Sequence, residues 1–316
     1  MARLKRIPKI WWIIGLGTIV LVAGWLLWNL GLNVYAIDEP ITALPSDCQG
    51  TTRFAVVGDY GDAGQAEADV AALIDSWDVD FIVTVGDNNY PDGQAETIDQ
   101  NIGQYYESYI YPYVGNYGPG DTENRFYPAI GNHDWDSGKL QPYLDYFTLP
   151  GNERYYELED GPVQLFILDS DPKEPDGRSQ DSVQAGWLEE RMSSAAGPWR
   201  LVFLHHAAYS SALKREGDVE IRWPYAQWGA DAVISGHDHF YERLEQDGIP
   251  YIINGLGGRY SVFDPIHRLS LPIQGSKVRY NQDYGAMLVT ADDSCINFSF
   301  FIRDGELIDS YTLYKE

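Results

Sequence analysis

The chain has 316 residues and a formal net charge of −25 at pH 7, because 47 acidic residues stand against 22 basic ones. This length allows one large domain with a sizeable core. A strongly acidic surface repels polyanions, so the composition argues against nucleic acid as a substrate or partner.

A basic tail and a long uncharged stretch open the chain. Residues 1–10 hold four basic side chains and no acidic one, and residues 11–36 carry no charge. An apolar stretch of that length can cross a hydrocarbon core about 30 Å thick, and the basic flank predicts a cytoplasmic N-terminal side. Two interpretations stay open: one transmembrane helix that anchors the protein in the membrane, or a signal segment cut after Ala36. Both predict that the remainder is exported, and the second predicts a secreted protein.

Residues 37–50 predict a linker, and residues 51–316 predict a folded domain. Strands and helices alternate first, and consecutive strands follow near the C-terminus. This order predicts an α/β fold of two packed mixed β-sheets flanked by helices, an α/β/β/α sandwich. The predicted helices are Ala66–Trp77 and Asp181–Met192, and the predicted strands are Arg53–Val57, Phe81–Val85, Val163–Leu168, Trp199–Leu204, Ala232–Ile234, Tyr251–Asn254, Gly285–Thr290, Cys295–Arg303 and Leu307–Tyr314.

The chain has two cysteines, Cys48 and Cys295. Two cysteines fit an oxidising compartment with at most one bridge. Cys48 precedes the first predicted strand and Cys295 begins a late one, and their spacing alone leaves the pairing open.

Five short polar segments each follow the carboxyl end of a predicted strand, and they contain five of the six histidines. Ligands bind at that edge of open α/β sheets, so we expect the five segments to converge. Carboxylate, amide, phenol and imidazole groups together favour iron, manganese or zinc. The pattern therefore predicts a hydrolytic site with two metals. The segments are Gly58-Asp59-Tyr60-Gly61, Gly86-Asp87-Asn88-Asn89-Tyr90, Gly131-Asn132-His133-Asp134, Leu204-His205-His206 and Gly236-His237-Asp238-His239.

In this order the five segments resemble the calcineurin-like metallophosphoesterase superfamily. The segment Gly86-Asp87-Asn88-Asn89-Tyr90, because it ends in tyrosine, resembles the purple acid phosphatase branch of that superfamily. This branch includes the tartrate-resistant acid phosphatases. The resemblance spans Thr51 to His239. It implies two metal ions, one bound by Asp59, Tyr90 and His239, the other by Asn132, His205 and His237, with Asp87 bridging them. A phenolate ligand at neutral or acid pH implies Fe(III) at one position, with a divalent Fe, Zn or Mn ion at the other.

The resemblance also implies a reaction, the hydrolysis of a small phosphomonoester by a hydroxide shared between the metals. His133 is the candidate proton donor to the leaving group, and Asp134 is expected to orient its ring. His206 departs from the family pattern, which commonly has a proline soon after the ligand histidine. It is a further catalytic candidate, beside the metals or in contact with substrate. The alternatives are a phosphodiesterase that acts on cyclic nucleotides or other diesters, and a surface protein that binds metal and phosphate without turnover.

Overall fold

The computed structural model describes Cys48 and residues 50–213, 216–259 and 269–315. They form two packed mixed β-sheets with helices outside, as the sequence predicts. The expected basic tail (1–10), the membrane or signal segment (11–36) and most of the linker (37–50) lie outside the described residues. Among the helices that are described, none is both long and apolar enough to cross a membrane.

The first sheet has six strands in the order β13-β12-β11-β1-β2-β3. Strands β1, β2 and β3 are parallel to one another, and the last three strands of the chain extend the sheet in antiparallel fashion from β1. Their bounds are β1 Thr52–Val57, β2 Phe81–Thr84, β3 Phe126–Pro128, β11 Gly285–Ala291, β12 Cys295–Ile302 and β13 Leu307–Tyr314.

The second sheet has seven strands in the order β10-β8-β9-β7-β6-β5-β4. Its centre, β5, β6, β7 and β9, is parallel, and antiparallel strands close both sides. The bounds are β4 Tyr156–Asp160, β5 Val163–Ile167, β6 Trp199–Phe203, β7 Ala232–Ser235, β8 Tyr241–Gln246, β9 Ile249–Asn254 and β10 Ser276–Tyr280.

The main core lies between the two sheets. Side chains alternate between the faces of a strand, so Leu165 and Ile167 of β5 face the inter-sheet core, whereas Phe166 packs in the outer cluster beneath a helix. The rings of Phe54 in β1 and Phe203 in β6 lie 6.4 Å apart between the sheets. Residues Phe54–Val57 of β1 and Leu201–Phe203 of β6 are buried on both faces of their sheets. This burial explains why both runs are continuously apolar.

Helices cover the outer faces. In α1, Val70, Ala71 and Ile74 are buried against the first sheet. Helix α6 covers the second sheet, and the Ser182 side chain caps it by accepting a hydrogen bond from the Ala185 backbone N at 3.1 Å. The helices are α1 Gln65–Asp75, α2 Ala95–Ile98, α3 Gln104–Tyr106, α4 Asn132–Trp135, α5 Gln141–Tyr146, α6 Val183–Ser194 and α7 Tyr225–Trp228, with a π-helical turn at Asp99–Gly103 and 3-10 turns at Glu107–Tyr109 and Val219–Ile221.

Cys48 and Cys295 form a disulfide, with their Cα atoms 5.7 Å apart. The bridge joins the segment before β1 to the start of β12, across the antiparallel part of the first sheet. The sequence left this pairing open, because only the strand order brings the two residues together.

Candidate metal centre

The five polar segments meet at one edge of the sandwich, beyond the ends of β1, β2, β3, β6 and β7. Three of their residues other than glycine adopt left-handed backbone conformations, with φ of 57° at Asp59, 54° at Asp87 and 68° at His237. Residues other than glycine rarely take such angles, and they do so mainly where the surrounding structure imposes them. The close packing is visible at Gly86, where a Cβ atom would lie 2.6 Å from Nδ1 of His205.

Asp59, Tyr90 and His239 form one group of potential ligands. Oδ1 of Asp59 lies 3.2 Å from Nε2 of His239 and 3.4 Å from the hydroxyl of Tyr90. The Tyr90 hydroxyl is 3.3 Å from the same His239 nitrogen. The other oxygen of Asp59 accepts a hydrogen bond of 2.9 Å from the backbone N of His237, which fixes the carboxylate.

The second group consists of Asn132, His205 and His237. Nε2 of His205 lies 3.1 Å from Oδ1 of Asn132 and 3.1 Å from Nδ1 of His237. The other nitrogen of His205, Nδ1, is 2.8 Å from the carbonyl oxygen of Val85, which sets the ring orientation. A carbonyl contact of this kind is the usual way in which a ligand histidine is held.

Asp87 lies between the two groups. Its Oδ2 accepts a hydrogen bond of 2.9 Å from Tyr90, and its Oδ1 is 3.3 Å from Nε2 of His205. Two clusters able to hold a cation, Asp59–Asp87–His239 and Asp87–His205–His237, thus share one carboxylate. All seven residues expected as ligands are brought together.

The buried carboxylates of Asp59 and Asp87 dominate the electrostatics of the site. Burial alone would lower the pKa of His205, but the carboxylates of Asp87 and Asp59 raise it to about 10. Burial, and then Asp87 and Asp59, raise the pKa of Tyr90 well above its usual value. A phenolate at Tyr90 needs a strongly acidic cation to keep it deprotonated. The donor set of two carboxylates, a phenol, an amide and three imidazoles suits such a cation.

His133 lies at the rim of the site. Its ring packs against Tyr90 with 4.4 Å between centroids, and its Nε2 is 3.9 Å from Oδ2 of Asp87. Nδ1 is 2.5 Å from the carbonyl oxygen of Pro91 and 3.6 Å from Oδ2 of Asp136. Of the two, only the Pro91 carbonyl is within hydrogen-bond distance, so this group, rather than the expected Asp134, orients the ring.

Asp134 has a different role from the expected one. Its buried carboxyl accepts hydrogen bonds from the backbone N of Gly131 at 2.8 Å and from both the backbone and the side chain of Asn88. Helix α4 directs this side chain inward while the ring of His133 remains partly exposed. Asp134 therefore ties together two of the polar segments.

His206 lies beside the second group, with its ring 5.1 Å from that of His205 and 4.4 Å from that of His237. Burial and the neighbouring His205 lower its pKa to about 3. Its Nδ1 is 3.0 Å from the hydroxyl of Ser170, a residue outside the five segments that the sequence singles out. Ser170 lies in a polar segment, Asp169-Ser170-Asp171, just beyond the end of β5. That position after a strand was the signal that could have revealed it.

Two further features border the centre. The guanidinium of Arg259 lies 4.6 Å from the ring centroid of Tyr90 and forms an ion pair of 2.6 Å with Asp62. A cavity of about 190 Å³ has His206, His237, Asp218 and Val219 among its lining residues. The cavity offers space for a small ester next to the imidazoles.

Comparison with known proteins agrees with this geometry. Residues 52–241 match the calcineurin-like phosphoesterase family. Purple acid phosphatase 17 of Arabidopsis thaliana is 24% identical over 250 residues, which cover 68% of this chain and 71% of the relative. Tartrate-resistant acid phosphatase type 5 of Homo sapiens is 24% identical over 300 residues, which cover 81% and 86%.

Solved structures share the fold. Purple acid phosphatase PPD1 from yellow lupin seeds aligns with a TM-score of 0.67 and 19% identity, over 86% of this chain and 55% of that one. GAP50, described as the anchor in the inner membrane complex of Plasmodium, aligns with a TM-score of 0.66 and 17% identity, over 85% and 90%. Purple acid phosphatases are thus among the relatives of this chain. Because the family match covers more than half of the chain, the chain belongs to the calcineurin-like phosphoesterases.

Proposed function

We propose that the protein is an exported phosphohydrolase with a binuclear metal centre that cleaves phosphomonoesters, as acid phosphatases do. The observation that carries the proposal is the pair of cation-binding clusters that share Asp87. Asp59, Tyr90 and His239 would hold one ion, taken to be Fe(III), and Asn132, His205 and His237 the other, a divalent Fe, Zn or Mn ion. The purple acid phosphatase relatives support the monoester over the diester as substrate.

Two such cations, when bound, would supply an activated water and positive charge for the phosphoryl group. The protein's own groups do the rest. Buried Asp59 and Asp87 supply the negative charge that retains the cations. A proton on Nδ1 of His133 would donate to the Pro91 carbonyl. The doubly protonated ring would then pass its Nε2 proton to the leaving oxygen and return to the neutral Nδ1–H form.

Export is supported by the disulfide between Cys48 and Cys295, because such bonds persist in oxidising compartments. The basic and apolar sequence of residues 1–36 supports it independently. Whether residues 11–36 remain as an anchor is decided by the N-terminal sequence and membrane fractionation of the exported protein.

The decisive experiment compares kcat/KM for an aryl phosphate monoester with that for the matching diester, using the metal-loaded full chain. We expect a ratio well above one. A ratio well below one would indicate that the protein is a phosphodiesterase instead. If the protein binds two metals but hydrolyses neither ester, a binding protein would be favoured instead. The matched control is Asp87→Asn, which should lose both metals and with them any hydrolysis that depends on the centre.

Tyr90→Phe tests the iron assignment separately. A phenolate bound to Fe(III) gives a visible charge-transfer band, so we expect the iron-loaded protein to be coloured and the variant to lose the band while keeping its circular dichroism spectrum. Loss of only the hydroxyl leaves the ring packing against His133 in place. A variant as strongly coloured as the wild type would show that Tyr90 is not a ligand.

A further inference from the structure

The contact between Ser170 and His206 is reciprocal. The backbone N of His206 donates a hydrogen bond of 2.9 Å to Oγ of Ser170, and the same oxygen lies 3.0 Å from Nδ1 of the His206 ring. Ser170 is 2% exposed, so water does not freely satisfy its hydroxyl. One short segment after β5 thereby holds both the backbone and the ring of a histidine that follows β6.

The number of donors determines the tautomer. The backbone N–H is always a donor, so it occupies one lone pair of the serine oxygen. Among the described residues, Nδ1 of His206 is the remaining hydrogen-bond partner of that hydroxyl. If Nδ1 carried a proton, the serine O–H would be left buried without an acceptor, and such groups are rare in native proteins. The satisfied arrangement has the serine O–H donating to Nδ1, which places the histidine proton on Nε2.

The position of the ring gives this proton a function. His206 is adjacent in sequence to His205 and packs 4.4 Å from the ring of His237, so it borders the second group of potential ligands. The Nδ1 lone pair of His206 accepts from Ser170, so this nitrogen does not bind a metal as the neighbouring His205 is expected to do. Nε2 is the polar ring atom left for the cavity of about 190 Å³ that His206 lines together with His237.

We propose that Ser170 fixes His206 as the Nε2–H tautomer, and that this N–H donates a hydrogen bond to a phosphoryl oxygen of the bound phosphoester. Ser170 is then a positioning residue, and His206 is the group that touches the substrate. The identity of the ligand rests on the proposed function.

The tautomer is measurable without any turnover. Nitrogen NMR of the full chain, labelled with ¹⁵N at histidine and loaded with Zn²⁺ alone, distinguishes a protonated from an unprotonated Nδ1. His206→Gln assigns the signal. We expect an unprotonated Nδ1 in the wild type and a mixture of tautomers in Ser170→Ala. A wild-type His206 that carries its proton on Nδ1 would overturn the proposal.

The contact with phosphate is tested by calorimetry with orthophosphate. Ser170→Ala and His206→Ala should each weaken binding, His206→Ala by about tenfold, which is typical of losing one hydrogen bond to a charged group. The double variant should bind no more weakly than His206→Ala, because Ser170 acts through that ring. Additive losses, or unchanged phosphate affinity in His206→Ala, would contradict the proposal.

A matched control separates positioning from general loss of stability. Ser299 in β12 is equally buried and donates a hydrogen bond of 2.7 Å to Asn297, far along the chain from the centre. Ser299→Ala should lower stability as much as Ser170→Ala and leave phosphate binding unchanged. Ser170→Thr keeps the hydroxyl and should restore the wild-type tautomer.

The outcomes also distinguish this inference from the proposed function. If no ester is hydrolysed but the tautomer and the phosphate affinities behave as expected, the function fails and the inference stands. If monoesters are hydrolysed but Nδ1 of His206 is protonated, the function stands and the inference fails.

Discussion

The side chain of His133 is held in a way that suits proton transfer at one atom. One ring nitrogen contacts the Pro91 carbonyl at 2.5 Å, and the other faces Asp87 at 3.9 Å. Tyr90 packs against the ring and prevents it from turning freely. Such a fixed imidazole can donate to a leaving oxygen, but only leaving groups that need a proton benefit from it.

We therefore predict that His133→Ala lowers kcat about 10²–10⁴-fold for alkyl phosphates and much less for nitrophenyl phosphates. Rates across a series of leaving groups measure the effect as a steeper dependence on the leaving-group pKa. Asp136→Asn, which alters a half-exposed neighbour 3.6 Å from the same ring, is the control and should cost little. An equal loss for every leaving group would assign His133 to binding.

The expected ligands were named from sequence because they lie in short polar segments that follow apolar strands, and four of the seven come directly after a glycine: Asp59, Asp87, Asn132 and His237. The role of Asp134 was not predictable in this way. Adjacent residues on a short helix point in different directions, and only the three-dimensional structure shows that Asp134 faces Asn88. Ser170 follows a strand as the five segments do, but Asp169-Ser170-Asp171 contains no imidazole and no glycine, so its role is visible only once His206 is placed beside it.

At the scale of elements, the strands with continuous apolar sequence were predicted to within a few residues. Those missed, β3, β4, β8 and β10, are short or carry charges. In β8, Arg243 is buried because it pairs with Asp309 of β13 at 2.7 Å, and Glu242 because it accepts from Ser211. A buried charge that is paired across sheets looks like a surface residue in the sequence, so its strand is not recognised.

The turn at Asp99 organises another element that the sequence did not reveal. The chain after this turn continues as helix Gln104–Tyr106 and the 3-10 turn Glu107–Tyr109. The Asp99 carboxylate accepts hydrogen bonds from the hydroxyls of Tyr113 at 2.5 Å and Tyr146 at 3.0 Å, and from the backbone N of Asn116 at 2.9 Å. Burial acts in the opposite direction, but these hydrogen bonds prevail and hold the pKa of Asp99 below its usual value.

Because folding lowers this pKa, the ionised carboxylate stabilises the fold above the unfolded value of about 3.9, and the effect is lost as pH falls through the folded value. We predict that Asp99→Asn lowers the free energy of unfolding at pH 7 by about 1–2 kcal/mol, since solvent screens part of the interaction. The difference from the wild type should shrink in denaturant titrations as pH falls below the unfolded value of about 3.9. Asp145→Asn, an exposed aspartate on α5, is the control, and a difference independent of pH would refute the assignment.

At the scale of the whole molecule, the disulfide closes a loop of 247 positions between Cys48 and Cys295. Crosslinks restrict the unfolded chain, and longer loops are restricted more. We predict that replacing both cysteines by serine lowers the free energy of unfolding by about 2–4 kcal/mol. Chemical denaturation measures the loss, and adding reductant to the wild type should reproduce it. Equal denaturation midpoints with and without the disulfide would show that the antiparallel strands of the first sheet stabilise this part of the fold without it.

The net charge of −25 acts on the substrate as well as on solubility. A phosphomonoester carries two negative charges near neutral pH, so the field of the whole protein opposes its approach, while the cations attract it only at short range. Ionic strength screens the distant charges, since the Debye length falls from about 30 Å at 0.01 M to about 8 Å at 0.15 M. We predict that kcat/KM for an aryl phosphate rises about two- to fivefold over this range of NaCl while kcat stays constant. The singly charged diester should show a smaller rise, which serves as the control for effects of salt on the protein itself. A fall in kcat/KM with added salt would mean that the local positive field of the metal centre governs substrate approach, and that the acidic surface serves solubility alone.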